Sequence, residues 1–328
     1  MAKEKQIRKK RFKRDLAVNV RLTERDLRII KAVHEHRFLN SEHIAALEGS
    51  RSQALTRRLN LLYHGGYLDR PRVQLAMAGN NPMVYGLGNQ GAEVLERDFG
   101  QKLPNIDWTS KNREVKIIFL EHALLVSEFL LIIRQACRER SNIEFVSPKA
   151  LVERKPLLKG NTNPLGWKVI IGQEYSGLSY RKELNLYPDS GFGLRLTDQD
   201  GKPRTAWFFY EADRATMPIR RRNLRQSSFY KKMVCYWESY RQLDKEGKTG
   251  KVFYENFGFH YPRILTLTTS KERIQSMIEA QKNIDLQGQG FRMFLFAPAN
   301  AFQLDKPQTV LSANAWLNGQ SKPTGLLK

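Results

Sequence analysis

Three carboxylates lie at the ends of two apolar segments in the second half of the sequence. Asp189 follows the run LNLYP, and Glu211 and Asp213 follow the run AWFFY. A carboxylate at the end of a buried strand must be paired or must bind a metal ion, because desolvating an unpaired charge is costly. Residues two apart in an extended segment share a face, so Glu211 and Asp213 are expected on one side of a sheet.

If the two strands are neighbours, the three carboxylates lie at one edge of the sheet and repel one another. A hard divalent cation with oxygen ligands, Mg²⁺ or Mn²⁺, relieves that repulsion. Such an ion polarises a phosphodiester and positions the attacking group. Asp189, Glu211 and Asp213 are therefore the predicted metal ligands and catalytic acids. The structural alternative is that Asp189 is a turn residue after proline and that Asp213 caps a polar loop.

The composition favours a polyanionic partner. The chain has 328 residues, with 55 Lys and Arg against 33 Asp and Glu, and a formal net charge of +22. Nucleic acid is the commonest partner of so basic a protein, ahead of a membrane surface or polyphosphate. Cys137 and Cys235 form neither a metal motif nor a disulfide framework, which favours a cytoplasmic protein. We expect neither a signal peptide nor a membrane span.

The first hundred residues have the element order of a winged helix-turn-helix. Residues 1–18 form a basic arm that is expected to be disordered. Three helices are predicted in ERDLRIIKAVHEH, capped by Thr23, in NSEHIAALEG and in RSQALTRRLNLLYHGG. Two strands, YLDRPRVQLAM and PMVYGLG, predict a hairpin, and GAEVLERDFG predicts a closing helix. A winged-helix DNA-binding domain is therefore predicted over residues 19–100.

The third predicted helix is expected to supply most of the DNA contacts. Leu55, Leu59 and Leu62 share one arc and form its core face. The opposite row has side chains of the types that contact base edges and phosphates in a major groove. A solvated helix face or a protein-binding module is the alternative. The predicted contacts to double-stranded DNA, including flanking and wing arginines, are Arg51, Gln53, Arg57, Arg58, Asn60, His64, Arg70 and Arg72.

The remaining sequence predicts an α/β domain. Residues 101–113 are predicted to be a linker, 114–316 the second domain, and 317–328 a disordered tail. A first helix is followed by several strands, a long helix in RRRNLRQSSFYKKMVCYWESYRQL, and then RILTLTT, SKERIQSMIEAQK and FRMFLFA as strand, helix and strand. This order is typical of a sheet with helices packed on it, giving an α/β or α+β fold class.

The second domain resembles the restriction-endonuclease-like fold of the PD-(D/E)xK type. Asp189, preceded by proline, and Glu211 match that signature, but Asp213 stands where the signature has lysine. The resemblance implies that this lysine positions or activates the attacking group. Some members of the fold supply it from the next helix, where Lys231 and Lys232 are the candidates. Both are otherwise ordinary basic residues of that helix.

The whole arrangement resembles the plasmid replication-relaxation family over most of residues 20–300. The ordered motifs include RLTERDLRIIKAV, RRLNLLYHGGYLDR, EHALLVSEFLL, YPDSGFGLRL, FFYEADRATMP and YKKMVCYWESY. The resemblance implies a plasmid or integrative-element protein, similar to conjugative relaxases that are built on a nuclease-like core and nick at an origin. His122 and Glu128 are candidates for supporting the same site, with a core histidine and a half-exposed glutamate as the alternatives.

Three functions remain open from the sequence. The usual type of relaxase binds its metal ion through clustered histidines, but His34 and His36 are the one close histidine pair in this sequence and lie in the first predicted helix. A relaxase is therefore expected to be of the carboxylate-metal kind, with Mg or Mn as cofactor. The missing lysine favours a non-catalytic regulator or replication accessory protein with a degenerate nuclease-like domain. A general defence nuclease is the third possibility. Partners are expected to be origin DNA, conjugation or replication proteins, and a second copy of the chain.

Overall fold

The computed structural model of the chain describes residues 12–15, 18–50, 52–77, 81–154, 163–172, 182–198, 200–284 and 288–327. Helices and sheets are both abundant, and the predicted α+β class is confirmed. The chain divides into two compact units, Met1–Leu131 and Ile132–Lys328. No helix in the described ranges is long and apolar enough to cross a membrane.

The first unit builds its helices where the sequence has caps and apolar periodicity. The Thr23 side chain accepts a hydrogen bond from the Asp26 backbone N–H, and the Asp26 side chain accepts from the Thr23 backbone N–H, so this cap is reciprocal. Asn40 and Ser52 cap the next two helices. The helices are α1 (Glu24–His36), α2 (Ser41–Glu48), α3 (Gln53–His64), α4 (Asn89–Phe99) and α5 (Trp108–Arg113), and α6 (Ile117–Arg138) begins in this unit.

A small antiparallel sheet completes the first unit. Its strands are β1 (Phe38–Asn40), β2 (Leu68–Asp69) and β3 (Val84–Leu87), in the order β1-β3-β2. The first strand of the predicted hairpin is shorter than expected. Pro71 has no N–H to donate to a ladder, and residues 72–76 form a 3-10 turn instead. Strand β1 was not predicted, although it contributes the fully buried Phe38 to the core.

Two predicted boundaries are corrected within the first unit. The predicted linker 101–113 contains α5, whose Asn112 is fully buried and donates a hydrogen bond of 2.9 Å to the carbonyl oxygen of Leu87. In the arm, which was expected to be disordered, Arg14 donates to the carbonyl oxygen of Leu68 at 3.1 Å and to Asp69 at 2.9 Å. Residues 1–11, 16 and 17 of the arm lie outside the described residues.

The second unit is organised around a seven-stranded mixed sheet. The strands of this unit are β4 (Ile143–Val146), β5 (Trp167–Ile171), β6 (Lys182–Leu186), β7 (Ser190–Thr197), β8 (Pro203–Ala212), β9 (Arg263–Thr268), β10 (Phe294–Pro298), β11 (Trp316–Asn318) and β12 (Pro323–Thr324). The strand order of the large sheet is β12-β11-β10-β9-β8-β7-β4, with β8, β9 and β10 parallel and the other neighbours antiparallel. Strands β5 and β6 form a separate pair.

Aromatic side chains fill the space between this sheet and its helices. Trp167 packs on Phe209 with ring centroids 4.9 Å apart, and meets Phe253 and Phe257 edge-on at 5.6 and 5.5 Å. Phe209 is fully buried at the centre of β8. The same hydrophobic core includes residues of four helices, which are α7 (Pro148–Glu153), α8 (Phe229–Arg241), α9 (Lys251–Phe257) and α10 (Lys271–Lys282).

Three predictions are corrected in the second unit. The tail 317–328, which was predicted to be disordered, contains the last two residues of β11 and all of β12, and its Leu326 is fully buried. The long predicted helix begins at Phe229, because Ser228 caps it and the preceding residues form turns. Asp189 directly precedes β7 and does not end a strand that neighbours β8, because β6, the strand before it, pairs with β5 in a separate sheet.

The stability of the first unit is expected to fall in acid through His43. Its side chain is 2% exposed, and burial, with a smaller contribution from His36, lowers the pKa of His43 to about 3. The folded state therefore favours the neutral ring. The contribution of His43 to the free energy of unfolding is complete above the unfolded pKa of about 6.5. It is lost as the pH falls, by at most about 1.4 kcal/mol per pH unit. Denaturant unfolding at a series of pH values measures this loss, and His43→Gln should flatten the profile between pH 6.5 and 4. An equally steep profile in the variant contradicts the assignment to His43.

Candidate acidic site and DNA-binding face

Asp189 and Glu211 meet at one end of the β7–β8 hairpin. The register pairs Ser190 with Tyr210, which places the next two residues outward, Asp189 and Glu211, beside each other. The Asp189 backbone N–H donates to the carbonyl oxygen of Tyr210 at 3.1 Å, and the Ala212 N–H donates to the Asp189 carboxylate at 2.8 Å. Backbone hydrogen bonds therefore hold the Asp189 carboxylate next to β8.

Glu211 is buried and paired with two residues of α8. Its side chain is 2% exposed. Lys232 donates to one carboxylate oxygen at 2.5 Å, and the Tyr236 hydroxyl donates to the other at 2.7 Å. Lys232 and Tyr236 are four residues apart on a helix and so lie on the same face. The local arrangement thus contains two carboxylates from neighbouring strands and one ammonium group from α8.

The charges of this cluster are strongly coupled. Burial raises the pKa of Glu211 to about 7, and Asp189 adds to the rise while Lys232 opposes it. Burial alone would lower the pKa of Lys232, but the Glu211 and Asp189 carboxylates outweigh it and shift the pKa upward. Lys232 therefore holds its proton more tightly than an exposed lysine does, and Glu211 holds its proton more tightly than an exposed glutamic acid does.

Asp213 has a different partner. Arg273 of α10 binds it through two nitrogens, at 2.5 and 2.8 Å, and the Thr268 hydroxyl donates to it at 2.5 Å. Bidentate pairing of this kind is strong and directional. It commits the Asp213 carboxylate to tying β8 and β9 to α10. No cluster of three or more His, Cys, Asp or Glu side chains that could hold a metal ion occurs among the described residues.

The structure distinguishes the two candidate lysines. Lys232 contacts Glu211, whereas Lys231 is the preceding residue of the helix, and its backbone N–H donates the cap hydrogen bond to the Ser228 hydroxyl oxygen at 3.2 Å. The sequence signature did not choose between them, because two adjacent lysines differ only in the face of the helix that they occupy. Tyr236 was also not foreseen, although its spacing of four residues from Lys232 is a usable signal.

Part of the predicted DNA-binding row on α3 is exposed. Gln53, Arg57 and Asn60 are solvent-exposed on this helix, and Arg72 is exposed after β2. Asn60 also accepts a hydrogen bond from Arg70 at 2.9 Å. Gln53, Arg57 and Arg72 are therefore the predicted contacts best placed to reach a groove or a phosphate. Arg51 lies outside the described residues.

Three other predicted contacts serve the fold. Arg58 binds the fully buried Asp26 through two nitrogens, at 2.8 and 2.5 Å. Arg70 is 7% exposed and its guanidinium lies 4.1 Å from the ring centroid of Tyr63. His64 accepts a hydrogen bond of 2.9 Å from the backbone N–H of residue 15. The side chains of all three residues are committed to contacts within the first unit.

The candidates His122 and Glu128 lie in the first unit. Both are half-buried on α6, and burial raises the pKa of Glu128, with Glu42 adding to the effect. The Asp189–Glu211 pair belongs to the second unit. A supporting role for His122 and Glu128 therefore remains a prediction from the sequence.

The chain matches one known family. The sequence profile described as replication-relaxation matches residues 30–252, which is more than half of the chain. The match includes α3, the β7–β8 hairpin and α8, and therefore both candidate sites. No curated protein and no solved structure matches the chain.

The adjacent residues Arg57 and Arg58 should give opposite phenotypes. Arg58→Ala leaves Asp26 as an unpaired buried charge, which typically costs about 3–5 kcal/mol. Arg57→Ala removes an exposed charge and should change stability by no more than about 0.5 kcal/mol, while lowering affinity for duplex DNA. Denaturant unfolding and a fluorescence-anisotropy DNA titration measure the two effects. Equal stability of the two variants contradicts the structural role of Arg58, and unchanged DNA affinity in Arg57→Ala contradicts the binding face.

Proposed function

Because the chain belongs to the replication-relaxation family, which indicates a role in plasmid replication or mobility, we propose that it binds DNA at an origin of transfer or replication and nicks one strand with the help of Mg²⁺ or Mn²⁺. The observation that carries the proposal is the cluster of Asp189, Glu211 and Lys232 at one end of the β7–β8 hairpin. The origin belongs to a plasmid or an integrative element.

The donor set of the cluster suits a divalent cation. Hard cations prefer carboxylate oxygens, and Asp189 and Glu211 present theirs from neighbouring strands. These two residues would hold the ion, and a bound ion would polarise the phosphodiester and stabilise the charge that develops on it. Glu211 binds such an ion in its ionised form, and its pKa of about 7 makes that form accessible at neutral pH. Asp213 is not part of this set, because Arg273 and Thr268 occupy it.

Lys232 supplies the positive side chain that the strand lacks. In this proposal its ammonium group exchanges part of its contact with Glu211 for a phosphate oxygen or for the attacking water. Fixed positive charge aimed at developing negative charge is among the largest contributions to catalysis. Tyr236 holds the second oxygen of Glu211 and so orients the carboxylate.

The exposed residues of α3 support the DNA-binding half of the proposal. Gln53 and Arg57 are types that contact base edges and phosphates, and Arg72 lies beyond β2. The net charge of +22 favours association with DNA at a distance. The first unit would then recognise the origin, and the second unit would act on the strand.

A second candidate function follows from how closed the cluster is. Glu211 is 2% exposed, and both of its oxygens already have protein partners. A buried ion pair of this kind can serve as a link between β8 and α8 without any catalysis. Under this alternative the chain is a DNA-binding regulator or replication accessory protein, and the cluster is part of its scaffold.

A nicking assay tests the proposal with a matched pair of variants. Supercoiled plasmid that carries the cognate origin is incubated with the protein and Mn²⁺, and the relaxed open circle is quantified. Lys232→Met and Asp189→Asn should slow nicking by about 10²–10³-fold, the usual effect of removing one electrostatic stabiliser. Lys231→Met removes the same charge from the adjacent position and should nick at the wild-type rate.

Two outcomes contradict the enzymatic proposal. Absence of Mn²⁺-dependent open circles with the wild-type protein favours the regulator. Equal nicking by wild type and Lys232→Met shows that the cleavage arises elsewhere in the protein or in a contaminant.

A further inference from the structure

A short arginine-rich segment follows the acidic strand directly. Residues 214–228 connect β8 to α8 and contain five arginines without a single Asp or Glu. The segment begins three residues after Glu211 and ends at the helix whose first turn contains Lys232. We call it the arginine loop, and its arginines are Arg214, Arg220, Arg221, Arg222 and Arg225.

The arginine loop is anchored to the second unit at several points. Arg273, which also binds Asp213, donates to the carbonyl oxygen of Met217 at 2.6 Å. The backbone N–H groups of the first two residues of α8 donate to the carbonyl oxygens of Pro218 and Ile219, at 3.1 and 2.8 Å. Leu224 is 3% exposed and packs in the core. The loop conformation is therefore fixed by contacts on both sides of its arginines.

The loop backbone also adopts an unusual conformation. Ala215 has a φ of 59°, in the left-handed region that costs free energy for a residue with a Cβ atom. The Asp213–Arg273 pair before it and the Arg273–Met217 hydrogen bond after it hold this conformation in place. The loop thus leaves the acidic strand in one defined direction.

Four of the arginines face solvent without a compensating acid. Arg220, Arg221, Arg222 and Arg225 are exposed, and none of them forms an ion pair with a carboxylate among the residues that the structure describes. Arg220 lies over the ring of Tyr230, with the guanidinium carbon 4.9 Å from the centroid. Like charges held this close raise the local potential, and a polyanion lowers it.

The chemistry of the loop fits a nucleic-acid backbone. Guanidinium groups bind phosphate through two parallel hydrogen bonds and are less strongly hydrated than ammonium groups. Contacts of this type give affinity without sequence information. We propose that the arginine loop binds the sugar–phosphate backbone of DNA beside the Asp189–Glu211–Lys232 cluster. This inference rests on the proposed function, which identifies the polyanion as DNA. The loop would allow the second unit to hold the DNA strand independently of α3.

A salt-dependence experiment on the full-length chain tests the loop. The variant Arg221→Gln, Arg222→Gln, Arg225→Gln is compared with Arg138→Gln, Lys245→Gln, Lys306→Gln, which removes the same charge from exposed positions of the second unit. Both carry Arg57→Ala, which weakens the contribution of the first unit. Binding to a labelled mixed-sequence duplex is measured in EDTA between about 50 and 200 mM salt.

For the loop variant, the negative slope of log K against log salt should become shallower by about 2–3, because each phosphate contact contributes about −0.9 to it. Its affinity at moderate salt should fall at least tenfold. The control variant should keep its slope, since separated surface charges are screened over roughly 10 Å. Thermal unfolding checks that both variants are folded, and Arg→Lys substitution at the same three positions should restore most of the slope.

Two outcomes overturn the inference. If the loop and control variants have equal slopes, the loop does not bind phosphates. Polyglutamate serves as a model of an acidic protein in the same binding assay. If the loop variant loses affinity for polyglutamate but not for DNA, the loop binds an acidic protein. Because EDTA prevents metal-dependent cleavage, the binding experiment does not depend on nicking. A protein that does not nick DNA can still show the predicted loss of slope, and an unchanged slope in the loop variant does not contradict a positive nicking assay.

Discussion

The contact between Glu211 and Lys232 is the interaction on which the second unit depends most. It joins the interior strand β8 to α8 in a place where Glu211 is almost fully buried. Burial of two charges costs more than their attraction returns unless the remaining lone pairs are satisfied, and Tyr236 supplies that additional hydrogen bond. Since the pKa of Glu211 lies above its unfolded value, its ionisation costs folding free energy as the pH rises from about 4.5 toward 7. A chain selected for stability alone has a cheaper solution in apolar side chains, so this pair is the natural place to look for chemistry.

The neighbouring acid shows how a sheet edge assigns different roles to similar residues. Glu211 and Asp213 are two positions apart, yet one pairs with a lysine of α8 and the other with an arginine of α10. The Asp213–Arg273 pair also fixes the start of the arginine loop through Met217. One acid therefore belongs to the candidate site, whereas the other holds the segment that leads away from it. Glu211, Asp213, the arginine loop and Lys232 follow one another along a single β8–loop–α8 stretch.

The parts of the fold that could be predicted are those set by local sequence. Thr23 is followed by apolar periodicity, and α1 begins where this cap predicts, while α2 and α3 lie within the two segments that were predicted to be helices. The meeting of Asp189 and Glu211 was also expected, although Asp189 precedes β7 of the β7–β8 hairpin instead of ending a neighbouring strand as predicted. Local pattern was sufficient for these features because each involves residues that are close in the chain.

The remaining features depend on partners distant in sequence. Arg58 looks like a DNA contact until Asp26, 32 residues earlier, is placed beside it. Arg273 lies 60 residues after Asp213, and no spacing rule connects them. The terminal strands β11 and β12 are short and polar in places, and they become strands because β10 offers backbone partners to β11, which in turn offers them to β12. Long-range pairing of this kind is decided by tertiary packing rather than by propensity.

The most direct test of the central claim is an NMR measurement on the carboxyl carbons of Glu and Asp during a Mg²⁺ titration. If Asp189 and Glu211 hold the metal ion, their carboxyl resonances should shift saturably at neutral pH. The resonance of Asp213, held by Arg273, should stay in place and serves as the internal control. Resonances of Asp189 and Glu211 that do not move at any Mg²⁺ concentration, or a shift confined to Asp213, would contradict the account.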